Sequence, residues 1–170
     1  LKYLSLFKER QVDGVVFIAT MFTRKHKQML KDYKVPIVLL GQHLEGYPCI
    51  YQDDYRAAVL ATEKLVEKGQ NFAYIGVTDR DEAVGQQRKK RFLSVLHRNK
   101  IDISQDKIKE GTFTMDSGYE MAKELLEQDP KIDSLLCATD TMAIGAITCI
   151  KEKGLRIPED VQVAGIGDGA

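Results

Sequence analysis

The sequence predicts an α/β fold built on a mostly parallel sheet with helices on both of its faces. Short continuous apolar runs, typical of buried strands, alternate with amphipathic stretches of helical period. The alternation continues along the whole 170-residue chain. Strands that alternate regularly with helices form parallel sheets, because each helix carries the chain back to the start of the next strand.

The strands are predicted from continuous apolar segments. The run at 14–19 leaves no polar face, so we expect this strand to be buried on both sides of a sheet. The predicted strands occupy residues 14–19, 36–40, 72–77, 134–138 and 161–165, with weaker strands at 49–51 and 107–110.

The helices are predicted from apolar side chains at helical spacing and from capping residues. They cover about residues 23–33, 54–68, 85–99, 117–128 and 141–153, after the end of a helix at 2–10. Gly69 and Gly154 follow two of these helices where a left-handed residue often ends one. The residues expected to cap the starts are Thr23, Asp53 or Asp54, Asp116 or Ser117, and Asp140 or Thr141.

Composition excludes several classes of protein. The chain has 25 Lys and Arg against 25 Asp and Glu, and 44% of its residues are hydrophobic. A balanced charge argues against a nucleic-acid-binding or polybasic membrane surface within this segment. No apolar run approaches the roughly 20 residues that a membrane-spanning helix needs.

The ends and the cysteines predict a fragment from a reducing compartment. The sequence starts at Leu1 without the basic and apolar stretches of a signal peptide, and it stops directly after an apolar run. Cys49, Cys137 and Cys149 form no C-x-x-C pair, which favours a cytosolic setting.

A ligand site is expected at the carboxyl ends of the strands, where open parallel sheets bind their ligands. The polar loop at 78–82 suggests a border after Val77, which divides the chain into lobes 1–77 and 78–170. Carboxylates, an amide and a guanidinium suit a polyhydroxylated small molecule, because they match the donors and acceptors of hydroxyl groups. The loops that follow the strands contain Gln42, Arg88, Thr139, Asp140 and Asp168.

Three candidate residues also have a purely structural interpretation. Asp140 is well placed to cap a helix. Arg88 lies in the charged run 86–91, and such runs are usually solvated helix faces. Phe113, in a strand-to-helix loop, belongs either in a core or stacked on the apolar face of a sugar or base.

The sequence does not predict an enzyme, a metal site or a cofactor. His26, His43 and His97 lack metal-ligand spacing, and no P-loop or nucleophile elbow is present. Residues 165–170 formally match a dinucleotide fingerprint, G-x-G-x-x-A. That motif belongs in the first strand–helix unit, whereas this match follows the last strand.

Taken together, the segments resemble the lactose/galactose repressor family of bacterial transcription regulators. Individually the matches are weak, but their order is specific and covers essentially the whole chain. The matching segments are V-D-G-V-V-F at 12–17, V-P-I-V-L-L at 35–40, L-V-E-K-G-Q at 65–70, A-Y-I-G at 73–76, R-K-K-R-F at 88–92, S-G-Y at 117–119, C-A-T-D-T-M-A-I-G-A at 137–146, G-L-R-I-P-E-D-V at 154–161 and G-I-G-D at 165–168.

The resemblance implies a two-lobed, periplasmic-binding-protein-like core of type I, incomplete at both ends. It implies a sugar-type effector, a mono- or disaccharide or its phosphate, whose binding closes the lobes and changes operator affinity. The helix-turn-helix head that binds operator DNA is absent from this chain. The resemblance also implies a cytoplasmic homodimer with no membrane partner. Residues 81–85, ahead of Arg88, resemble sucrose- and trehalose-type repressors.

The resemblance assigns roles to individual residues. Arg88 matches the arginine that grips the effector, Phe113 the aromatic that closes over it, and Asp168 the acid in the final loop. Thr139 stands where many relatives have Asn. Asp53 aligns with an acid or amide beside the pocket. Gln42 is expected to contact the ligand from the first lobe.

Three other functions stay open at this stage. An extracellular sugar-binding protein of a transport system shares the expected fold, and so do sugar-modifying or nucleotide-using enzymes. Within the repressor interpretation, a purine effector is an alternative to a sugar. We expect Arg88→Ala to abolish effector binding and to leave the fold intact.

Overall fold

The computed structural model describes residues 6–7, 10, 12–18 and 22–167. The chain forms two compact units, Leu1–Gln52 and Asp53–Ala170. Each unit is built around its own parallel sheet. The α/β class with parallel sheets that was predicted from the sequence is confirmed.

Among its described residues, the first unit contains a three-stranded parallel sheet and the helix α1 (Arg24–Lys31). Strands β1 (Val15–Ile18), β2 (Ile37–Leu40) and β3 (Cys49–Ile50) lie in the order β1-β2-β3. Helix α1 starts at the predicted cap, since the Thr23 hydroxyl accepts from the backbone N–H of His26.

Strand β1 is buried on one face only. Val15 is 7% exposed, whereas Val16 and Ile18 are 65% and 73% exposed. The prediction of burial on both faces is therefore wrong for this strand. The run is continuous because the exposed side chains of β1 are also apolar. The sequence alone does not show what covers each face of a strand.

The second unit contains a four-stranded parallel sheet in the order β5-β4-β6-β7. The apolar runs predicted both of its central strands, β4 (Phe72–Gly76) and β6 (Ser134–Cys137), and every residue of these strands is buried. Strands β5 (Ile108–Glu110) and β7 (Gln162–Ala164) flank them. All three pairings are parallel, so the carboxyl ends of the strands meet at one edge.

Four helices surround this sheet. Their buried residues follow helical spacing; in α3, for example, Arg88, Phe92, Val95 and Leu96 are buried. A π-helical turn, Glu82–Gln87, runs directly into α3. The helices are α2 (Asp54–Val66), α3 (Arg88–Arg98), α4 (Met115–Gln128) and α5 (Asp140–Glu152).

Two predicted helix caps are wrong. Helix α4 is capped by Thr114, which accepts from the N–H of Ser117, in place of Asp116 or Ser117. Helix α5 is capped by Thr139 in place of Asp140 or Thr141. In both cases a threonine precedes other residues that are able to cap, and local propensity does not separate neighbouring candidates.

Of the two predicted helix-ending glycines, only Gly154 takes the left-handed conformation, with φ of 76°. Gly69 is needed for a different reason. A Cβ at Gly69 would overlap the hydroxyl of Ser134, at the start of β6.

The division between the units differs from the predicted border after Val77. Helix α2 packs on α3, and β4 is a central strand of the second sheet, so residues 53–77 belong to the second unit. The polar loop at 78–82 connects elements within that unit.

In the part of the chain that the structure describes, no helix is both long and apolar enough to cross a bilayer.

Candidate functional site

The carboxyl edge of the second sheet is organised around Arg88, the first residue of α3. Its Nη1 group donates to the backbone oxygens of Ala138 and Ile166, at 2.5 and 2.9 Å. These two carbonyls follow the neighbouring strands β6 and β7. The guanidinium thus lies where ligands bind in parallel sheets, as the sequence predicted.

A carboxylate completes the surroundings of this guanidinium. The Nε and Nη2 groups of Arg88 donate to Oδ1 of Asp54 at 2.8 and 2.5 Å. The Arg88 and Asp54 side chains are 7% and 11% exposed. The interpretation of Arg88 as part of a solvated face is therefore wrong, although its neighbour Lys90 is exposed.

The loop after β4 holds the start of α3 in place. Asp81 caps the π-helical turn by accepting from the N–H of Val84 at 2.9 Å. Lys89 pairs with Asp79 at 2.6 Å, and the amide of Gln86 donates to the backbone oxygen of Asp79. Turns of π-helix often occur at functional sites, and this one sets the position from which Arg88 reaches the sheet edge.

Asp54, the partner of Arg88, was not selected as a candidate from the sequence. It was considered only as a helix cap, a role that falls to its neighbour Asp53, which accepts from the N–H of Arg56 at 2.9 Å. Only a chemical argument pointed to such a partner: an arginine that is buried requires a negatively charged group beside it. Nothing in the local pattern says that this charge is 34 residues away.

Thr139 and Asp140 lie at the start of α5, next to the Arg88 contacts. The hydroxyl of Thr139 accepts from the N–H of Met142 at 3.3 Å. The Asp140 carboxylate packs against the backbone that follows β7, since a Cβ on Gly165 would lie only 2.7 Å from its Oδ1 atom and one on Gly167 only 2.7 Å from Oδ2. Asp140 therefore does not cap its helix but faces the loop that contains Ile166.

Phe113 lies in the loop between β5 and α4, after the carboxyl end of β5. Its side chain is 48% exposed, so it is not a core residue. Thr112 and Ser117 fix the loop around it, because the Ser117 hydroxyl accepts from the N–H of Thr112 at 3.0 Å and donates to its oxygen at 2.5 Å. An exposed aromatic ring on a fixed loop is available for stacking.

The remaining predicted contacts are Gln42, Asp53 and Asp168. Gln42 is 7% exposed and belongs to the first unit. Asp53 is the cap of α2 and has no bond to Arg88 among the described residues. Asp168 lies outside the described residues.

Beneath α3, Tyr74 of β4 carries a buried hydroxyl. It has no hydrogen-bond partner in the described part of the chain. Its ring leans towards Gly76, the last residue of β4, and stacks on Phe92, one turn beyond Arg88. Burial raises the pKa of Tyr74 far above its usual value, and the nearby Arg88 cation lowers it in part.

Other reactive groups form no site in the described residues. No three His, Cys, Asp or Glu side chains there are placed to hold a metal ion. Cys137 and Cys149 are buried, and burial raises the pKa of both thiols, which makes their reactive thiolate forms scarce.

The chain also matches a known protein family. Residues 1–167 match the model for periplasmic binding proteins and the sugar binding domain of the LacI family. The chain belongs to this family. The LacI-type resemblance of the sequence motifs and the periplasmic-binding-protein-like fold are thereby confirmed.

Two relatives from bacteria are transcription regulators. The chain is 31% identical over 159 residues to catabolite control protein A of Priestia megaterium, covering 92% of this chain and 48% of the relative. It is 27% identical over 165 residues to the HTH-type transcriptional repressor PurR of Actinobacillus pleuropneumoniae, covering 96% and 49%. The chain thus spans about half the length of the curated relatives it matches.

Solved structures of LacI-type regulators have the same fold. The transcription regulator CcpA of Lactococcus lactis superposes with a TM-score of 0.85 at 27% identity, over 98% of this chain and 62% of that one. A complex of the regulator CelR with cellobiose gives 0.84 at 28% identity, over 96% and 51%. These matches favour the repressor interpretation over the transport-protein alternative.

Proposed function

We propose that this chain is the effector-binding part of a DNA-binding transcriptional repressor. The observation that carries the proposal is the fixed position of Arg88 at the carboxyl ends of β6 and β7. Membership of the LacI-type family and two regulator relatives support it. In the whole protein, operator DNA is bound by a separate head, and the regulator acts in the cytoplasm as a homodimer.

The proposed effector is a small molecule rich in hydroxyl groups, such as a mono- or disaccharide or its phosphate. The relative CelR, which was solved with cellobiose, supports this class. Arg88 is the anchor of the site, and the exposed ring of Phe113 stacks on the apolar face of a sugar ring. The Thr139 hydroxyl accepts one backbone N–H and keeps its own proton for a ligand oxygen. The contacts of Gln42, Asp53 and Asp168 stay predictions.

Effector binding acts on DNA affinity through a change of conformational equilibrium. A ligand shifts such an equilibrium only by the difference between its affinities for the two states. Couplings of this kind are typically about 1–3 kcal/mol, which changes operator affinity about 5–150-fold. The buried contacts of Arg88 join α2, α3 and two strand ends, so a ligand on this side chain alters several elements together.

A thermal-denaturation screen of the chain with neutral sugars, sugar phosphates and purines tests the proposal. A sugar present at about 100 times its dissociation constant is expected to stabilise the chain by about 2.7 kcal/mol. Stabilisation by a purine alone would instead support the purine alternative. If no compound of the three classes stabilises the chain, the proposed function is wrong.

The role of Arg88 in binding is tested with Arg88→Lys, which keeps the charge but loses the planar fork of donors. This variant is expected to lose most of the ligand-induced stabilisation, whereas the exposed control Lys90→Ala keeps it. Equal stabilisation of the Arg88→Lys variant and the parent would remove Arg88 from the site.

A further inference from the structure

We propose that Asp54 determines the specificity of the site by reserving Arg88 for an uncharged, hydroxyl-bearing group. Phosphate and carboxylate groups are excluded from this position. The inference rests on the proposed function and deepens it, because it names the chemistry of the effector group that meets the anchor.

The hydrogen bonds of the pair leave a particular set of open groups. Arg88 has five N–H donors, of which Asp54 receives two and the carbonyls of Ala138 and Ile166 receive two more. One N–H on Nη2 remains. Oδ2 of Asp54 has no hydrogen-bond partner within the described residues, and the side chain keeps 11% of its surface exposed.

One open donor beside one open acceptor suits a hydroxyl group. A hydroxyl accepts from the Nη2 group and donates its own proton to Oδ2 of Asp54. A phosphate or a carboxylate group also accepts from Arg88, but it brings a negative charge close to the Asp54 carboxylate. Any of its oxygens that lacks a proton would face Oδ2 of Asp54 without a hydrogen bond. The pair therefore discriminates between hydroxyl groups and anions.

The charges around Arg88 also disfavour the binding of an anion. A helix N-terminus and an arginine both attract anions. Here the N-termini of α2 and α5 already have a carboxylate as their first residue, Asp54 and Asp140, and Arg88 is paired. The next basic residue, Lys89, is held by both oxygens of Asp79 at 2.6 and 2.7 Å. An incoming anion would meet two carboxylates and a guanidinium that is already neutralised.

The test uses inorganic phosphate as the probe and the isosteric variant Asp54→Asn. This variant keeps an oxygen for Arg88 but removes the negative charge. Its affinity for phosphate, measured by calorimetry on the whole chain, is expected to rise at least about tenfold, because one close repulsive charge is lost. The adjacent Asp53→Asn provides a matched control, since Asp53 contacts a backbone N–H and not Arg88. The gain should disappear in Asp54→Asn/Arg88→Gln.

Two results would overturn the inference. One is equal phosphate affinity of the Asp54→Asn and Asp53→Asn variants. The other is phosphate binding by the parent chain that Arg88→Gln abolishes. If Asp54→Asn fails to fold, Asp54→Ser replaces it with the same expectation, since a serine also keeps an acceptor oxygen.

The phosphate experiment does not require the natural effector, so the two hypotheses fail separately. If no sugar stabilises the parent while Asp54→Asn gains phosphate binding, the proposed function is wrong and the charge exclusion stands. If a neutral sugar binds and Asp54→Asn gains nothing, the effector site stands and the role of Asp54 is wrong.

Discussion

The rings of Tyr74 and Phe92 stack with centroids 5.1 Å apart, and the buried Tyr74 hydroxyl has no hydrogen-bond partner among the described residues. A buried polar group without a partner keeps its full desolvation cost. The stack itself depends on the rings and not on the hydroxyl. Tyr74→Phe therefore removes an unfavourable group and preserves the favourable contact.

We expect Tyr74→Phe to raise the free energy of unfolding by about 1 kcal/mol, measured by urea denaturation. Tyr119→Phe is the control, because that hydroxyl donates to the carboxylate of Glu152 at 2.7 Å. Its loss is expected to lower stability. A Tyr74→Phe chain less stable than the parent would show that the hydroxyl has a partner, such as a buried water.

Stability is expected to fall in alkaline solution, and Tyr74 contributes to the fall. Its pKa is raised by burial, so the neutral form is favoured in the folded state. The unfolded chain ionises above about pH 10, and the stabilisation present below that pH is lost as the pH rises further. Unfolding measured between about pH 9 and 12 should therefore show a shallower decline for Tyr74→Phe.

Arg88→Ala is expected to destabilise the fold strongly, contrary to the expectation from sequence. The substitution leaves the Asp54 carboxylate buried without its partner and also removes donors from two backbone oxygens. Breaking one side of a buried ion pair typically costs about 3–5 kcal/mol. Chemical denaturation of Arg88→Ala beside the exposed control Lys90→Ala measures this cost. A loss below about 1 kcal/mol would place the pair among weak surface ion pairs.

Gly118→Ala is expected to destabilise the pairing of α4 with α5. A Cβ at this position would overlap the backbone oxygen of Met142, which belongs to a helix and has little freedom to move. Overpacking of this kind costs about 1–3 kcal/mol. Helix propensity alone predicts the opposite, a gain of about 0.8–1.0 kcal/mol for glycine to alanine. The sign of the change in melting temperature therefore decides between overpacking and helix propensity. The exposed Thr148→Ala is the control.

Phe113→Ala is expected to separate stability from binding. The side chain is 48% exposed, so its removal should change the free energy of unfolding by no more than about 0.5 kcal/mol. Stabilisation by a bound sugar should nevertheless decrease, because the stacking surface is lost. Met115→Ala, at a residue that is 46% exposed in the same region of the chain, should leave both quantities unchanged. Unaltered sugar binding by Phe113→Ala would remove Phe113 from the site.

The parts of the fold that the sequence predicted correctly are those set by local patterns. The central strands β4 and β6 read as apolar runs and are buried on both faces. The cap of α1 at Thr23 was also predicted, because it stands alone before its helix. Where several capping residues are adjacent, as at Thr139, Asp140 and Thr141, the pattern did not select the right one.

The parts that the sequence missed depend on distant contacts. The placement of Arg88 at a sheet edge followed from the family resemblance and the position of its loop. Its partner Asp54 did not, because their contact joins two helices 34 residues apart. The unit border was misplaced for a similar reason, since the polar loop after Val77 says nothing about which sheet β4 joins.

The pairing of Asp54 with Arg88 also has a mechanical consequence. Asp54 is the second residue of the second unit, directly beyond the point where the chain leaves the first unit at Gln52. The guanidinium thus joins the first residue of α2 to the backbone that follows β6 and β7. Loss of this guanidinium would therefore leave the first turn of α2 without its link to the strand ends.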